Sequence, residues 1–264
     1  MKTAIINGKI ITPHRILDQA SLVMEDGVIA GIVRGRKPEA DCCIDAEGAY
    51  VSPGFIDIHT HGGGGHDFMD GTPDAIIKAC MAHLAHGTTS ICPTTLTCTD
   101  EELLTFFDCY REARKQMENG PELLGIHMEG PYFSLEQRGA QDPQYIKVPA
   151  RDDYKKLLDA SDDIIRMSAA PELEGAMELA DELKARGILA SIGHSDATYD
   201  HVIEAWERGY THVTHLYSGM STIRRINAYR HLGVIESAYL IDGMTVEIIA
   251  DGKHLPPELL RFIV

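Results

Sequence analysis

Two hundred and sixty-four residues, 44% hydrophobic and 24% charged, form a chain long enough to bury one large core or two modest ones, which excludes disorder and collagen-like repeats. Forty acidic side chains against 24 basic ones leave a net charge of −16 with histidine neutral; that surface repels phosphate backbones and anionic bilayers, so neither nucleic acid nor membrane is an expected partner. No run approaches the roughly 20 apolar residues of a membrane span, the amino terminus lacks a secretory apolar core, and the six cysteines contain no Cys-x-x-Cys spacing, so the expected setting is cytoplasmic.

Residues 1–50 read as short strands with tight turns: Thr3 to Ile6, a turn at Asn7-Gly8, Ile10-Ile11, Ser21 to Met24, a turn at Asp26-Gly27, and Val28 to Val33. Asn-Gly and Asp-Gly between apolar runs signal hairpins, because both residues tolerate the positive φ of a type I′ turn. So few strands bury little by themselves, and a small β unit that packs on something else is the expectation.

From residue 51 short apolar runs alternate with helix-length stretches. The predicted strands are Gly54 to His59, Thr88 to Cys92, Leu123 to Met128, Ile164 to Ala169, Ile188 to Ile192, His212 to Leu216 and Val246 to Ala250. The predicted helices are Asp74 to His86, Asp100 to Glu118, Asp152 to Ala160, Glu174 to Arg186, Tyr199 to Arg208, Val234 to Tyr239 and Pro256 to Val264. Strand and helix alternating at about 30 residues indicate parallel βαβ units. Seven such strands suit either an open doubly wound sheet or most of a barrel. Polar residues close five of the seven runs (His59 and His61, Glu129, His194, His215, and Asp251 with His254), which favours a barrel, whose chemistry gathers at many strand ends at once.

Those strand ends carry the chemistry. His59 and His61 stand at i and i+2 on one strand face and precede four glycines that leave space beside them. Glu129 ends the third strand, pinned by Gly130-Pro131, while His194 and His215 each close a run too apolar to bury a lone imidazole cheaply. This nitrogen and carboxylate set suits Zn²⁺ first, then Fe²⁺, Co²⁺ or Mn²⁺, and excludes a thiolate zinc site. Glu129 either bridges two ions or joins His194 and His215 around one; hydrolysis is the reaction class that both arrangements support. Arg224, Arg225 and Arg230, three cations within seven residues of an acidic chain, form a second candidate site, for a substrate phosphate or carboxylate.

His59-x-His61, Gly125-Ile-His-Met-Glu129-Gly-Pro-Tyr132, Gly-His194-Ser, Thr-His215-Leu-Tyr and Ile-Ala-Asp251-Gly-Lys-His254 resemble, in order and spacing, the amidohydrolase superfamily and in particular its N-acetylglucosamine-6-phosphate deacetylases. The resemblance implies an α/β fold: a TIM-type (β/α)8 barrel, incomplete at seven strands, over residues 51–264, with residues 1–50 as the N-terminal part of a small β-sandwich. It implies a metal set of Glu129, His194 and His215, with His59 and His61 for a second ion, and a small-molecule amino sugar phosphate as substrate. It also implies His254 on the substrate's N-acetyl group and a homodimer. The run Ile164 to Ala170 has no lysine that could bridge metals, as relatives of the dihydroorotase kind have, which favours the Glu129 subgroup.

Three departures from the family pattern bear on specificity. Gln141 stands where the family usually has a substrate-contacting histidine, Ser218 and Gly219 replace an Asn-Ala pair in a loop expected at the sugar phosphate, and the segment Arg224 to His231 replaces a phosphate-binding Arg-Glu-Pro-Gly. The catalytic aspartate of the family lies on an eighth strand that these 264 residues do not contain. A fragment of a longer chain, inactive by itself, is therefore the expectation, and no catalytic residue is assigned. Two further readings are a non-catalytic metal- and sugar-binding relative and an amidohydrolase for another N-acyl substrate.

Overall fold

A computed structural model describes residues 1–264 and divides them into two compact units, Met1–Phe55 and Ile56–Val264. The first is one mixed sheet of β1 (Lys2–Ile11), β2 (Ile16–Glu25), β3 (Val28–Arg34), β4 (Cys42–Asp45) and β5 (Tyr50–Val51). The order is β3-β2-β1-β4, with β5 also on β1; the hairpin pairs are antiparallel, and β4 and β5 run parallel to β1. Asp26 (φ 50°) and Gly27 (φ 83°) make the predicted two-residue turn between β2 and β3.

Asn7-Gly8 does not turn the chain back. Asn7 uses its positive φ of 58° in a bulge inside the ten-residue β1, where the register advances from Ile5↔Leu22 to Gly8↔Ala20, and a compensating shift follows at Gln19 (φ 49°) on β2. Two bulges of opposite sense restore the alternation that buries Ala4, Ile10, Leu17, Ala20 and Val23. β4 and β5, too short and too exposed to show a pattern, have no counterpart among the predicted strands.

The second unit begins within β6 (Phe55–Thr60) and continues with a small hairpin of β7 (Gly62–Gly63) and β8 (His66–Asp67), α1 (Pro73–Leu84), β9 (Thr88–Pro93) and α2 (Asp100–Gln116). There follow β10 (Glu122–Leu123), β11 (Ile126–Glu129), α3 (Arg151–Asp159), β12 (Ile164–Ala169), α4 (Ala176–Ala185), β13 (Leu189–Ile192), α5 (Tyr199–Arg208) and β14 (Tyr210–Val213). The hairpin β15 (Arg224–Ile226) and β16 (Tyr229–His231), α6 (Val234–Leu240), β17 (Thr245–Val246) and α7 (Pro257–Ile263) complete it.

Two sheets, β10-β9-β6 and β11-β12-β13-β14-β17, are linked by an isolated parallel bridge between Thr94 and His127, so seven strand positions follow one another in chain order. β17 has no ladder to β6, and no closed barrel forms. Local sequence explains the helices. Thr99 and Glu102 form a reciprocal capping box at the start of α2, whose Leu103, Phe106, Phe107, Tyr110 and Ala113 recur at helical spacing and enter the core.

Three predicted strands differ from those observed. The third is broken at Leu124-Gly125, so that β10 pairs with β9 while β11 pairs with β12. The sixth ends at Val213 rather than Leu216, because His215 (φ 31°) and Tyr217 (φ 78°) leave the extended region. The seventh is only Thr245–Val246, since the chain turns into the Asp251 loop, where the Lys253 and His254 amides donate to the Asp251 carboxylate. The hairpin at Arg224 to His231, turned by Asn227 and Ala228 at positive φ, carries no apolar alternation and has no counterpart among the predicted elements.

Candidate metal centre

Strand alternation places His59 and His61 on one side of the chain where β6 ends. The next residue is Gly62 (φ 153°), where an added Cβ would lie 2.2 Å from the carbonyl oxygen of His66, so only glycine permits this hairpin beside the two imidazoles. Glu129 is the last residue of β11, and its N–H donates to Thr95 Oγ1 at 3.0 Å. His194 (φ 47°) and His215 (φ 31°) follow β13 and β14 in the left-handed region, which turns their rings inward from the strand ends.

Four imidazoles converge on the Glu129 carboxylate, which is 2% exposed. Nε2 of His215, His194 and His59 lie 3.1, 3.2 and 3.3 Å from Oε1, and Nε2 of His61 lies 3.3 Å from Oε2. His194 Nε2 and His215 Nε2 are 3.2 Å apart. Two overlapping donor triads result, His59/His61/Glu129 and Glu129/His194/His215.

The state of the rings shows whether this set fits a cation. A carbonyl oxygen only accepts, so His194 Nδ1 donates its proton to Gln137 O at 2.9 Å, and its Nε2 is bare unless the ring is charged. His59 Nδ1 likewise donates to Glu247 Oε1 at 2.6 Å. Bare ring nitrogens packed at 3.2–3.3 Å around a carboxylate oxygen repel one another and it, unless protons or a cation stand between them. Burial opposes charge on His59, but hydrogen bonds to Glu129 and Glu247 on either side outweigh it and push its pKa up to about 9. Burial also works against ionised Glu129, yet the imidazoles of His194, His215, His59 and His61 hold its carboxyl well below the usual range. The set is an anionic, histidine-rich cage whose donors suit a divalent ion.

The remaining sequence-derived residues are distributed as follows. Gln141 is buried beside the cage: Nε2 donates to Glu129 Oε2 at 2.9 Å and Oε1 accepts the Thr97 N–H at 2.8 Å. The Ser218 N–H donates to His215 O, and Gly219 O accepts the Ser195 N–H. Arg224 pairs with the Asp196 carboxylate and donates to its carbonyl oxygen at 2.9 Å; Arg225 and Arg230 face each other across the β15/β16 hairpin, exposed. His254 lies apart from the cage in the exposed loop after β17, where Nδ1 meets Asp251 Oδ2 at 2.8 Å.

Two buried charged groups beside the cage have no counterpart among the residues singled out in the sequence. Glu247, one residue beyond β17, accepts from His59 and from the His215 N–H (2.9 Å), and pairs with Arg166 at 2.5 Å. Arg166 sits within β12 at 4% exposure, and a lone arginine in the run Ile164 to Ala170 was the signal available. Below the cage Arg166, Ser168, Ser191 and Thr214 form one buried polar network. His127, on its edge, bonds Ser168 at 2.7 Å; burial, with Arg166 and His59 nearby, drives its pKa well down and keeps it neutral.

Comparison with known proteins agrees with this geometry. The amidohydrolase family model matches residues 50–263. The N-acetylglucosamine-6-phosphate deacetylase of Haemophilus influenzae is 34% identical over 259 residues, covering 97% of this chain and 66% of the relative. The N-acetylgalactosamine-6-phosphate deacetylase of Escherichia coli O157:H7 is 31% identical, covering 94% and 64%. The chain thus spans about two thirds of the length of these curated relatives. Among solved structures, a mutant N-acetylglucosamine-6-phosphate deacetylase of Mycobacterium smegmatis, in complex with N-acetylglucosamine 6-phosphate, superimposes with a TM-score of 0.87 at 31% identity over 99% of this chain and 67% of its own. No helix here is long and apolar enough to cross a membrane. On motif, match and superposition alike, the chain belongs to the amidohydrolase family, with the N-acetylglucosamine-6-phosphate deacetylases.

Proposed function

We propose that this protein is a divalent-metal-dependent deacetylase that hydrolyses the acetamide of N-acetylglucosamine 6-phosphate to glucosamine 6-phosphate and acetate. One observation carries the reading: four imidazole Nε2 atoms lie within 3.3 Å of the buried Glu129 carboxylate, among strands of amidohydrolase type. When bound, a divalent ion in such a set lowers the pKa of water and polarises a carbonyl oxygen. Glu129, His194 and His215 would hold one ion, and His59 and His61 would share Glu129 with a second; Zn²⁺ suits the donors first, then Fe²⁺, Co²⁺ or Mn²⁺.

The protein's own contribution is orientation. Gln137 aims His194, Thr95 and Gln141 fix Glu129, and Arg224, Arg225 and Arg230 supply cations for the substrate phosphate, with His254 for the acetyl oxygen. The same reading takes residues 51–264 as seven strands of a TIM-type barrel and residues 1–50 as part of a sandwich. It also includes a cytoplasmic setting, which six free cysteines support, and a homodimer.

Acetate release from N-acetylglucosamine 6-phosphate by the natural protein tests this. Release is expected to stop on chelation, return with Zn²⁺ and be lost in Glu129→Gln; binding of the sugar phosphate with no release marks a non-catalytic relative. A different N-acyl substrate is the second reading, favoured because Gln141 spends both ends of its amide on Glu129 and Thr97, and Arg224 is engaged by Asp196. A higher kcat/KM for N-acetylgalactosamine 6-phosphate than for the glucosamine isomer decides for it.

A further inference from the structure

Glu247 lies at the meeting point of strands far apart in the chain. Its Oε1 accepts two hydrogen bonds, from His59 Nδ1 at 2.6 Å and from the His215 amide at 2.9 Å, while Oε2 accepts one from Arg166 Nη1 at 2.5 Å. Arg166 in turn donates to Thr214 Oγ1 at 2.9 Å and to Ser191 Oγ at 3.4 Å. One carboxylate therefore joins β6, β12 and the ends of β14 and β17, and no backbone ladder connects β6 to β17. A histidine ring hydrogen-bonds through two nitrogens, and a carboxylate that takes the hydrogen bond of Nδ1 makes Nε2 the atom offered to a metal ion and stops the ring from rotating. His194 has the equivalent support from the Gln137 carbonyl, whereas His61 Nδ1 and His215 Nδ1 are buried without a partner. Of the two imidazoles at the end of β6, only His59 is held at its far side by a carboxylate, and that carboxylate is itself anchored by a buried arginine.

We propose that Glu247 is a positioning residue of the metal centre, which fixes the His59 ring so that Nε2 faces Glu129 and thereby sets the affinity of the ion that His59 ligates. The inference rests on the metal-centre reading. Zn²⁺ titration of chelator-treated protein, rather than turnover, tests it in His59→Asn, Glu247→Gln, the pair Arg166→Met/Glu247→Leu, and that pair combined with His59→Asn. Arg166 is removed with Glu247 because an arginine left buried without its partner threatens the fold.

His59→Asn and the Arg166→Met/Glu247→Leu pair are each expected to weaken the ion step that needs His59 by about 10–100-fold, the range for supporting partners of metal ligands. Glu247→Gln keeps an acceptor for His59 Nδ1 and is expected to retain affinity lost with leucine. Adding His59→Asn to the pair should cost nothing more, because both changes act through one ring. Additive losses, unchanged affinity in the folded pair, or no effect of His59→Asn overturns the inference; if the pair does not fold, the same cycle run on Arg166→Gln/Glu247→Ala, which removes the acceptor and the buried charge together, decides it by the same outcomes. Unaltered protein that takes up no Zn²⁺ overturns the metal-centre reading, and this inference with it.

Discussion

Glu129 is the residue on which the cage turns, because all four histidines direct Nε2 at its two oxygens. Replacing it with glutamine removes one acceptor oxygen and the negative charge that balances a cation. Loss of a group that only supports a metal-ligating side chain costs about 10–100-fold in ion affinity, so Glu129→Gln is expected to lose more than about 100-fold, read by Zn²⁺ titration. An affinity within a few-fold of the unaltered protein would remove Glu129 from the ligand set. The five cage residues were visible in sequence because each closes an apolar run at a strand end, where a titratable group needs a reason. Glu247 was not, since its partner His59 lies 188 residues away on a strand that no ladder joins to β17, and such a contact leaves no local signal. Gln141 stood out only as a departure from the family pattern at a substrate position, and its attachment to Glu129 and Thr97 was not legible, because a side-chain amide carries no directional signal in sequence.

The loops at the strand ends are held by a few specific contacts. Gly219 (φ 59°) closes the loop after β14, and a Cβ there would come within 2.9 Å of both Gln137 O and His194 Nδ1, the two atoms of the bond that aims His194. Gly219→Ala is expected to cost about 1–2 kcal/mol of stability through the left-handed backbone and to weaken Zn²⁺ binding as well; a thermal melt and a titration separate the two losses, and intact ion affinity refutes the steric account. Glu172, in the loop after β12, accepts from Ser195 Oγ at 2.7 Å and from the Asp196 N–H at 2.5 Å, and so ties that loop to the one bearing His194. Burial raises its pKa, and the bonds to Ser195 and Asp196 only partly offset this. A folded-state pKa above the unfolded one gives stability that is complete below the unfolded value of 4.5 and is lost as pH rises through the folded value. Glu172→Gln does not titrate, so its unfolding free energy relative to the unaltered protein should move in the variant's favour between about pH 4 and pH 8. Denaturant melts across that range check it, and a shift the other way overturns it. Helices from α1 to α7 were legible within about two residues, since caps and 3.6-residue periodicity are local. The Asn7-Gly8 bulge was not, because the same positive φ serves a turn or a bulge, and pairing with β2 chooses between them.

At the scale of the whole molecule the two units differ in how much they bury. The larger one has a continuous cluster built on Phe106, Phe107, Tyr110, Met128, Tyr154, Leu179 and Tyr210, together with the polar network below the cage. The smaller one has a cluster of only Ile10, Leu17 and Ala20 with Leu22 and Val51 against it, and leaves Val28, Ile29, Ile32 and Ile44 exposed within its own sheet. The change of pattern near residue 51, from hairpin signals to alternating runs and helices, was readable because it depends on local periodicity. The relative depth of the two cores was not, because alternation says which face of a strand is apolar and nothing about what covers it. Hydrogen exchange follows the free energy of local opening, which ranges from near zero up to that of global unfolding according to the apolar contacts each segment makes. Amides of β1, β2 and β3 are therefore expected to exchange through openings about 2 kcal/mol or more less costly than those of β11, β12, β13 and β14, a difference of roughly 30-fold or more in protection. Exchange of the unaltered protein, resolved by peptide or by residue, measures both sets in one experiment. Equal protection in the two sets would mean that the sheet of Met1–Phe55 opens only with the larger unit, and that its stability is not set by the few residues in its own core.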